Sequence, residues 1–296
     1  MTFTLRAPAG FSLRAAADFA GEFPGTRTGN DHPDAMSFAW PLDGDWRTAS
    51  VVLRQHDNEI RGELDGPHAR EFTAKVRRDV ERILCLDIDA DDFAELGRHD
   101  PVVRRLQKRF AGLRPVLFYT PYEAAAWCII GQRIQMTQAA TVKQRLADDY
   151  GDRGAFPPPA RLGELRSPQR GLTDRKIDQL RHLASAALDG ALDRDRLRHQ
   201  SYDDAERQLQ QLPGIGPFSA ELILIRGMGA PDALPHHEKR LQAATRDAYH
   251  LPPNADINTV ADRWRPYRSW IALLLRAATP ARLSGPGRSP VRPGPG

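Results

Sequence analysis

The sequence predicts an α+β protein in which a strand-rich N-terminal domain precedes an all-helical domain. Short, partly alternating apolar segments separated by turn residues fill the first hundred residues. From about Pro121 onward, apolar residues recur at helical spacing almost throughout. The length of 296 residues fits two domains. We assign residues 1–112 to the first domain, 113–279 to the helical domain and 280–296 to a basic tail.

The strands predicted in the first domain are short and bounded by Gly, Pro, Asn and Asp. They are Phe3–Arg6, Ser37–Trp40, Ser50–Arg54 and Ile60–Leu64. One helix is predicted after them, over Glu71–Leu86, because Phe72, Val76 and Val80 fall on one helical face.

The helical domain opens on Tyr122–Ile134, which is apolar almost all round and is therefore predicted to be a buried central helix. The other predicted helices are Thr137–Tyr150, Thr173–Leu188, Tyr202–Gln211, Phe218–Met228, His237–Tyr249 and Asn258–Ala277. Thr173 is expected to cap its helix. The tail holds five prolines, four glycines and three arginines, so it cannot bury a core and is expected to be disordered.

Composition excludes several classes of protein. The only cysteines, Cys85 and Cys128, exclude a disulfide scaffold, a four-cysteine zinc site and a four-cysteine iron–sulfur cluster. No apolar run approaches the roughly 20 residues that cross a bilayer, and residues 1–20 lack the apolar core of a signal peptide. We therefore expect a cytoplasmic protein with no membrane partner.

The charge balance permits a nucleic-acid partner without arguing for one. The 42 cationic residues exceed the 38 acidic ones by four, and only five of the 42 are lysines. Arginine binds phosphate well, but a GC-rich genome also enriches arginine together with alanine, glycine and proline. Net charge bears on non-specific binding and not on fold.

One segment carries more information. Residues 212–220 read L-P-G-I-G-P-F-S-A and lie between two predicted helices. The glycines permit positive φ angles and close approach of another backbone, and Pro217 suits the first position of a helix. Free N–H groups at a helix N-terminus form a ready anion site. An ordinary αα-hairpin with a glycine C-cap is the alternative interpretation, but the full pattern of two glycines, two prolines and Ala220 is far more specific than a G-x-G alone.

Three further stretches accompany this hairpin. They are Ile130–Ile134 followed by Ala139 and Ala140, Arg226–Asp232, and Arg263–Trp270, which contains W-R-P-Y-R-S. In these four segments the chain resembles the helix–hairpin–helix DNA glycosylase superfamily, and within it the 3-methyladenine DNA glycosylase II type. The segments occur here in the same order as in that family. The resemblance runs from the N-terminal domain to about Pro280.

The resemblance implies a base-excision-repair enzyme that flips a damaged, alkylated base out of duplex DNA and hydrolyses its glycosidic bond. It implies a monomer associated with the nucleoid. Gly214, Ile215 and Gly216 would contact a backbone phosphate, and Gln132 or Arg133 would fill the gap left in the base stack. No cofactor is implied beyond a monovalent cation held by hairpin carbonyl groups.

The family's catalytic aspartate falls at His237 in this sequence, and Glu238 follows it. In the family, that carboxylate stabilises the oxocarbenium-like sugar of the transition state. A neutral His237 is able to orient water but lacks the negative charge. Glu238 has the charge, but an adjacent helix position faces a different direction. The catalytic role therefore stays open between His237 and Glu238.

The expected base pocket also departs from the family. Phe218 preserves the aromatic side chain that the family has at this position. Leu222 and Arg276 occupy the positions at which 3-methyladenine DNA glycosylase II has a tyrosine and a tryptophan. The lysine nucleophile of bifunctional members would fall at position 218, so no lyase activity is expected. His236, His237 and Glu238 lack the spacing of metal ligands, and no metal site is predicted.

A second function comes from a different class of protein. Without the aspartate, the chain could be a catalytically inactive DNA-binding protein that keeps the glycosylase scaffold. A third reading, an enzyme for an unusual adduct, also stays open.

Overall fold

The computed structural model describes residues 1–23, 35–66 and 69–279, and it confirms the predicted α+β class. Four strands form one antiparallel sheet in the order β1–β4–β3–β2. They are β1 (Thr2–Arg6), β2 (Ala35–Pro41), β3 (Thr48–His56) and β4 (Glu59–Asp65), and each contains one predicted strand. The tail predicted to be disordered lies outside the described residues.

Two helices cover the buried face of the sheet, α1 (Leu13–Glu22) and α2 (Ala69–Ile83). Helix α2 is the predicted one, whereas α1 was not predicted. The buried face of α1 consists of Leu13 and three alanines, so the apolar stripe of this helix is inconspicuous in the sequence. The side chain of Ser12 caps α1 by accepting the N–H of Ala15 at 3.1 Å.

The remaining helices lie C-terminal to the sheet. They are α3 (Phe93–His99), α4 (Pro101–Arg109), α5 (Pro121–Gly131), α6 (Met136–Tyr150), α7 (Pro159–Leu162), α8 (Asp174–Leu188), α9 (Arg194–Arg198), α10 (Tyr202–Leu209), α11 (Pro217–Leu222), α12 (Lys239–Ala248), α13 (Asn258–Ala261) and α14 (Arg268–Ala278). Helices α3 and α4 were not predicted, because charged residues interrupt their apolar pattern. Within the described ranges, no helix combines the length and hydropathy needed to cross a membrane.

Helix α5 forms the centre of the helical domain, as predicted. Every residue from Pro121 to Ile130 is buried, and α5 shares one core with α6, α8 and α11. Thr120 begins the helix by accepting the N–H of Glu123 on its side-chain oxygen at 3.0 Å. The helix that follows the hairpin thus packs on a buried scaffold.

Two predicted helices are interrupted in the observed structure, and the central helix predicted over Tyr122–Ile134 ends at Gly131. The segment predicted as one helix over Asn258–Ala277 is divided into α13, a short 3₁₀ turn and α14. Pro266 lies in the break, where its missing N–H prevents a continuous helix. The segment predicted as Phe218–Met228 is α-helical only to Leu222 and then continues as a π-helix over Ile223–Met228.

Helix α4 packs with the last helices of the chain and not with the sheet. Val103 and Leu106 share a core with Leu241, Trp264 and Ile271. The chain therefore passes from the sheet into the C-terminal helices before it enters α5. The domain boundary at residue 112 stays a prediction.

The fully buried side chain of Ile129 in α5 provides a test of the central core. We expect Ile129→Ala to lower the free energy of unfolding by about 2–5 kcal/mol, because it removes buried methyl groups and leaves a cavity. Denaturant unfolding measures this change. The exposed α8 residue Arg175 provides the control, since Arg175→Ala should change stability by less than about 0.5 kcal/mol. Equal effects would contradict the central position of α5.

Candidate functional site

The turn between α10 and α11 is built by one left-handed glycine and one buried side chain. Gly214 has a φ of +89°, which residues with a side chain rarely adopt. Ile215 is buried, and its N–H donates to the carbonyl oxygen of Leu212 at 3.0 Å. Pro217 then begins α11. These local contacts produce the hairpin.

Gly216 has a different part in the hairpin. Its φ of −98° and ψ of −176° are ordinary extended backbone, and a Cβ placed there would meet no atom within 4 Å. In the described part of the chain, the N–H groups of Gly214, Gly216 and Phe218 have no acceptor. The turn therefore presents N–H donors at the start of a helix, where a negative charge is favoured.

Gln132 is tied to this hairpin. Its Nε2 donates to the carbonyl oxygen of Gly214 at 2.7 Å. Lys176 of α8 donates through Nζ to the carbonyl oxygens of Ile130 at 2.7 Å and Gln132 at 2.8 Å, and burial lowers the pKa of this lysine. Lys176 therefore holds the end of α5 beside the hairpin. Sequence reasoning missed it, because nothing in α8 distinguishes it from a surface lysine.

Arg133 differs from its neighbour Gln132. It is exposed and adopts a φ of +57°, a region that non-glycine residues seldom occupy. Within the described ranges its side chain has no hydrogen bond or ion pair. Of these two predicted residues, Gln132 is engaged with the hairpin and Arg133 is accessible to a ligand.

A buried carboxylate joins the hairpin helix to the loop before α12. Glu221 is 3% exposed, and its two oxygens accept the backbone N–H groups of His236 and His237, each at 2.9 Å. The Nδ1 of His237 also lies 2.9 Å from Oε1 of Glu221. Sequence reasoning missed Glu221. Its signal was a single charged residue inside an otherwise apolar run, residues 220–225.

His237 and Glu238, the predicted catalytic candidates, have different surroundings. The side chain of His237 is half exposed beside Glu221. Glu238 caps α12 by accepting the N–H of Arg240 at 3.1 Å, and its carboxylate lies 3.9 Å from Nε of Arg276. The helix predicted to begin at His237 begins at Lys239, because Glu238 serves as its N-cap.

The three predicted pocket residues lie on two elements. Phe218 is 44% exposed at the start of α11, and Leu222, one turn later, is partly buried against the main core. Arg276 belongs to α14 and has the carboxylate of Glu238 beside it. That carboxylate offsets the positive charge that Arg276 brings.

Two of the sequence stretches noted above contact each other and support the loop between them. Arg268 donates through Nε to Asp232 at 2.9 Å, and the hydroxyl of Ser269 donates to the carbonyl oxygen of Ala230 at 2.8 Å. Trp264 is fully buried. The stretch around Trp264 therefore fixes the segment that leads to His237.

Among the described residues, Glu206, Glu221 and His237 form the group able to approach a metal ion together, since one ligand atom of each lies within 4.8 Å of the others. However, both oxygens of Glu221 already accept backbone N–H groups, and Nδ1 of His237 faces Glu221. The donor set fits a hydrogen-bonded cluster better than a cation site.

Comparison of sequences finds several similar proteins. A DNA-3-methyladenine glycosylase of Bacillus subtilis is 26% identical over 204 residues, which cover 64% of this chain and 67% of that protein. A probable bifunctional transcriptional activator/DNA repair enzyme AlkA of Mycobacterium tuberculosis is 29% identical over 91% of this chain and 55% of its own length. DNA-3-methyladenine glycosylase 2 of Escherichia coli is 32% identical over 57% of this chain and 61% of its own length. The chain thus spans about half to two thirds of these relatives.

Comparison of structures finds the same fold. The 3-methyladenine DNA glycosylase of Archaeoglobus fulgidus superposes with a TM-score of 0.77 at 19% identity, over 92% of this chain and 96% of that one. A Schizosaccharomyces pombe 3-methyladenine DNA glycosylase in complex with abasic DNA superposes with a TM-score of 0.53 at 23% identity, over 62% of this chain and 93% of that one. No family model matches the chain.

The two hairpin glycines give a paired test of the turn. Gly214→Ala should lower the free energy of unfolding by more than about 1 kcal/mol, because its φ is unsuited to alanine and its Cβ would lie 2.7 Å from the amide of Gln179. Gly216→Ser should keep or raise stability, since it has open space and serine is a good N-cap. Thermal unfolding measures both. Equal stability of the two variants would contradict the left-handed turn.

Proposed function

We propose that this chain, which belongs to the helix–hairpin–helix DNA glycosylase superfamily, is a monofunctional DNA N-glycosylase that removes alkylated bases from duplex DNA. The observation that carries the proposal is the open hairpin, whose helix α11 is hydrogen-bonded to His237 through Glu221, on a fold shared with 3-methyladenine DNA glycosylases. The relatives named 3-methyladenine glycosylases support the same substrate class.

In this proposal the hairpin anchors the DNA backbone. The N–H groups of Gly214 and Gly216 hold one phosphate without reading sequence. The buried side chain of Ile215 keeps the turn rigid. Arg133, exposed and accessible, enters the duplex where the damaged base has left the stack, while Gln132 holds the hairpin in place.

The flipped base would lie against the exposed ring of Phe218 and near Leu222. An alkylated purine carries positive charge, which favours stacking on an aromatic face. Arg276 would oppose such a base if its charge were free, but Glu238 lies 3.9 Å from its Nε. The exposed ring of Phe218 and the carboxylate beside Arg276 support a cationic alkylated base as the substrate.

His237 is the catalytic residue that the contacts favour. Its side chain is half exposed and held by Glu221, whereas the carboxylate of Glu238 is occupied by the start of α12 and by Arg276. A single turnover then consists of attack by water at C1′ and departure of the base. No strand cleavage follows, because Phe218 stands where a lysine nucleophile would be needed.

A thiol nucleophile is not available either. Cys128 lies 3.9 Å from the carbonyl oxygen of Ser219, and burial raises the pKa of its thiol to about 12. The thiol therefore stays protonated at neutral pH, where it is a poor nucleophile.

The reaction uses no cofactor in this proposal. Two hairpin carbonyl oxygens, those of Leu212 and Gly214, already accept hydrogen bonds from Ile215 N–H and Gln132 Nε2. Each carbonyl oxygen has a second lone pair, so a monovalent cation at the hairpin stays a prediction, and no step depends on it. The proposed setting is the cytoplasm, with the protein acting as a monomer at the nucleoid.

The second candidate is a DNA-binding protein without catalytic activity. The replacement of the family's aspartate by His237 favours it, since a neutral imidazole does not supply a negative charge. This candidate predicts duplex binding without release of any base.

Duplex DNA treated with a methylating agent tests the activity. The purified chain should release methylated purines, detected by chromatography, and should leave sites that break only after heating in alkali. His237→Ala should slow release about 100-fold, the scale of a general acid–base contribution. Glu238→Gln should slow it less, because glutamine can still cap α12. The reverse order would assign catalysis to Glu238, and binding without release across a lesion panel would establish the inactive protein.

Gly216 tests the phosphate anchor. Aspartate and asparagine are both good N-caps, and open space surrounds this position, so Gly216→Asp and Gly216→Asn should fold equally well. We expect the aspartate variant to bind duplex DNA about tenfold more weakly than the asparagine variant, a loss of about 1.4 kcal/mol from repulsion of the phosphate. Fluorescence anisotropy at low salt measures both affinities. Equal affinities would show that no phosphate docks there.

A further inference from the structure

The proposed function uses the buried carboxylate of Glu221 only as the group that holds His237. We propose that Glu221 positions His237 as a general base, whose Nε2 takes a proton from the water that hydrolyses the N-glycosidic bond. His237 is then the catalytic residue and Glu221 a positioning residue. This inference rests on the proposed glycosylase activity.

The contact between the two side chains fixes which nitrogen of His237 carries a proton. Nδ1 lies 2.9 Å from Oε1 of Glu221. A carboxylate only accepts hydrogen bonds, so the proton lies on Nδ1, and in the neutral imidazole Nε2 keeps a free lone pair. A carboxylate that orients a histidine in this way is the arrangement found in hydrolases that activate a hydroxyl group or water.

The side chains of His237 and Glu221 differ in solvent exposure, and this difference separates the catalytic role from the positioning role. The side chain of His237 is 50% exposed, whereas that of Glu221 is 4% exposed. The imidazole is therefore accessible to water and substrate, and the carboxylate is not. Glu221 cannot turn outward without losing the N–H groups of His236 and His237, which bind both of its oxygens. It acts through His237.

A second carboxylate, that of Glu206, lies in the same cluster, where one ligand atom each of Glu206, Glu221 and His237 lies within 4.8 Å of the others. It accepts a hydrogen bond from Nε2 of Gln210 at 3.2 Å.

The proposed step balances without a further reactant. The water oxygen forms a bond to C1′ of the deoxyribose as the bond from C1′ to the base nitrogen breaks. The electron pair of that bond goes to the base, and an alkylated cationic purine leaves as a neutral molecule. The water proton passes to Nε2 of His237 and then to solvent, which leaves an abasic sugar and the free enzyme.

The experiment compares two carboxylates of the same cluster. Glu221→Gln should slow single-turnover base release by roughly 100-fold, with the affinity for duplex DNA unchanged, because the amide cannot hold His237 with its Nδ1 proton as the carboxylate does. Glu206→Gln is the matched control and should keep the rate, since no hydrogen bond joins Glu206 to His237 among the described residues. If both variants lose activity, and if a chelator also removes it from the wild-type protein, the cluster is a metal site and the inference fails.

A second measurement is independent of the stability of Glu221→Gln. His237→Ala should regain base release when imidazole is added to the buffer, because free imidazole can occupy the vacated position and accept the water proton. Rescue should depend on Glu221 and be lost in the double variant His237→Ala/Glu221→Gln. Absence of rescue in the single variant, or rescue that persists in the double variant, would overturn the role of Glu221.

Failure of the inference and failure of the proposed function give different results. If the wild-type protein releases no base from any alkylated duplex, the glycosylase proposal fails. If the wild-type protein releases the alkylated nucleobase and Glu221→Gln does so at the same rate, the glycosylase proposal stands, but the Glu221–His237 pair is not the general base of the reaction.

Discussion

A buried carboxylate must find hydrogen-bond donors, and the way Glu221 meets this requirement determines the geometry of the candidate site. Glu221 belongs to the helix that begins at the hairpin, and its donors are the backbone N–H groups of His236 and His237. A buried charge without partners lowers the free energy of unfolding by several kcal/mol. The loop before α12 is therefore held against the hairpin helix. The element that would bind DNA and the residue that would act on it cannot move apart without breaking these bonds.

Buried arginines constrain the other end of the same helical segment. Phe118 donates its N–H to the carbonyl oxygen of Arg226 at 2.7 Å, and Arg226 donates through Nη2 to Val116 at 2.7 Å. Arg82 of α2 donates to the carbonyl oxygen of Gly227 at 2.9 Å. Burial lowers the pKa of both guanidinium groups, that of Arg226 to about 10. The sheet domain supplies no predicted site residue, yet through Arg82 it fixes the end of the π-helix that continues the helix carrying Glu221.

The parts predictable from sequence are those that depend on local rules. Gly214 and Pro217 define the hairpin through backbone conformation alone, and the apolar run of α5 defines its burial. Glu221 was not predictable, because its partners are backbone groups fifteen and sixteen residues away, and a backbone N–H leaves no signature in sequence. The same applies to Lys176, whose acceptors are backbone carbonyl oxygens at the end of α5. Alignment with the family's motif identified His237 as a candidate residue, but it did not identify the carboxylate of Glu221 beside it.

In the proposed mechanism, the histidine at position 237 and the buried carboxylate of Glu221 are physically connected. An aspartate at position 237 would place a second carboxylate next to the buried one, and two carboxylates about 3 Å apart cannot both be ionised. One of them would bind a proton and lose its negative charge. A histidine avoids this conflict, because its Nδ1 can donate to Glu221 at 2.9 Å. In the proposed mechanism the negative charge therefore lies on Glu221, behind His237, and it acts on the substrate through the imidazole. In this proposal residue 237 does not supply the negative charge itself. Glu221 supplies it through the imidazole, which activates water and does not stabilise the sugar directly.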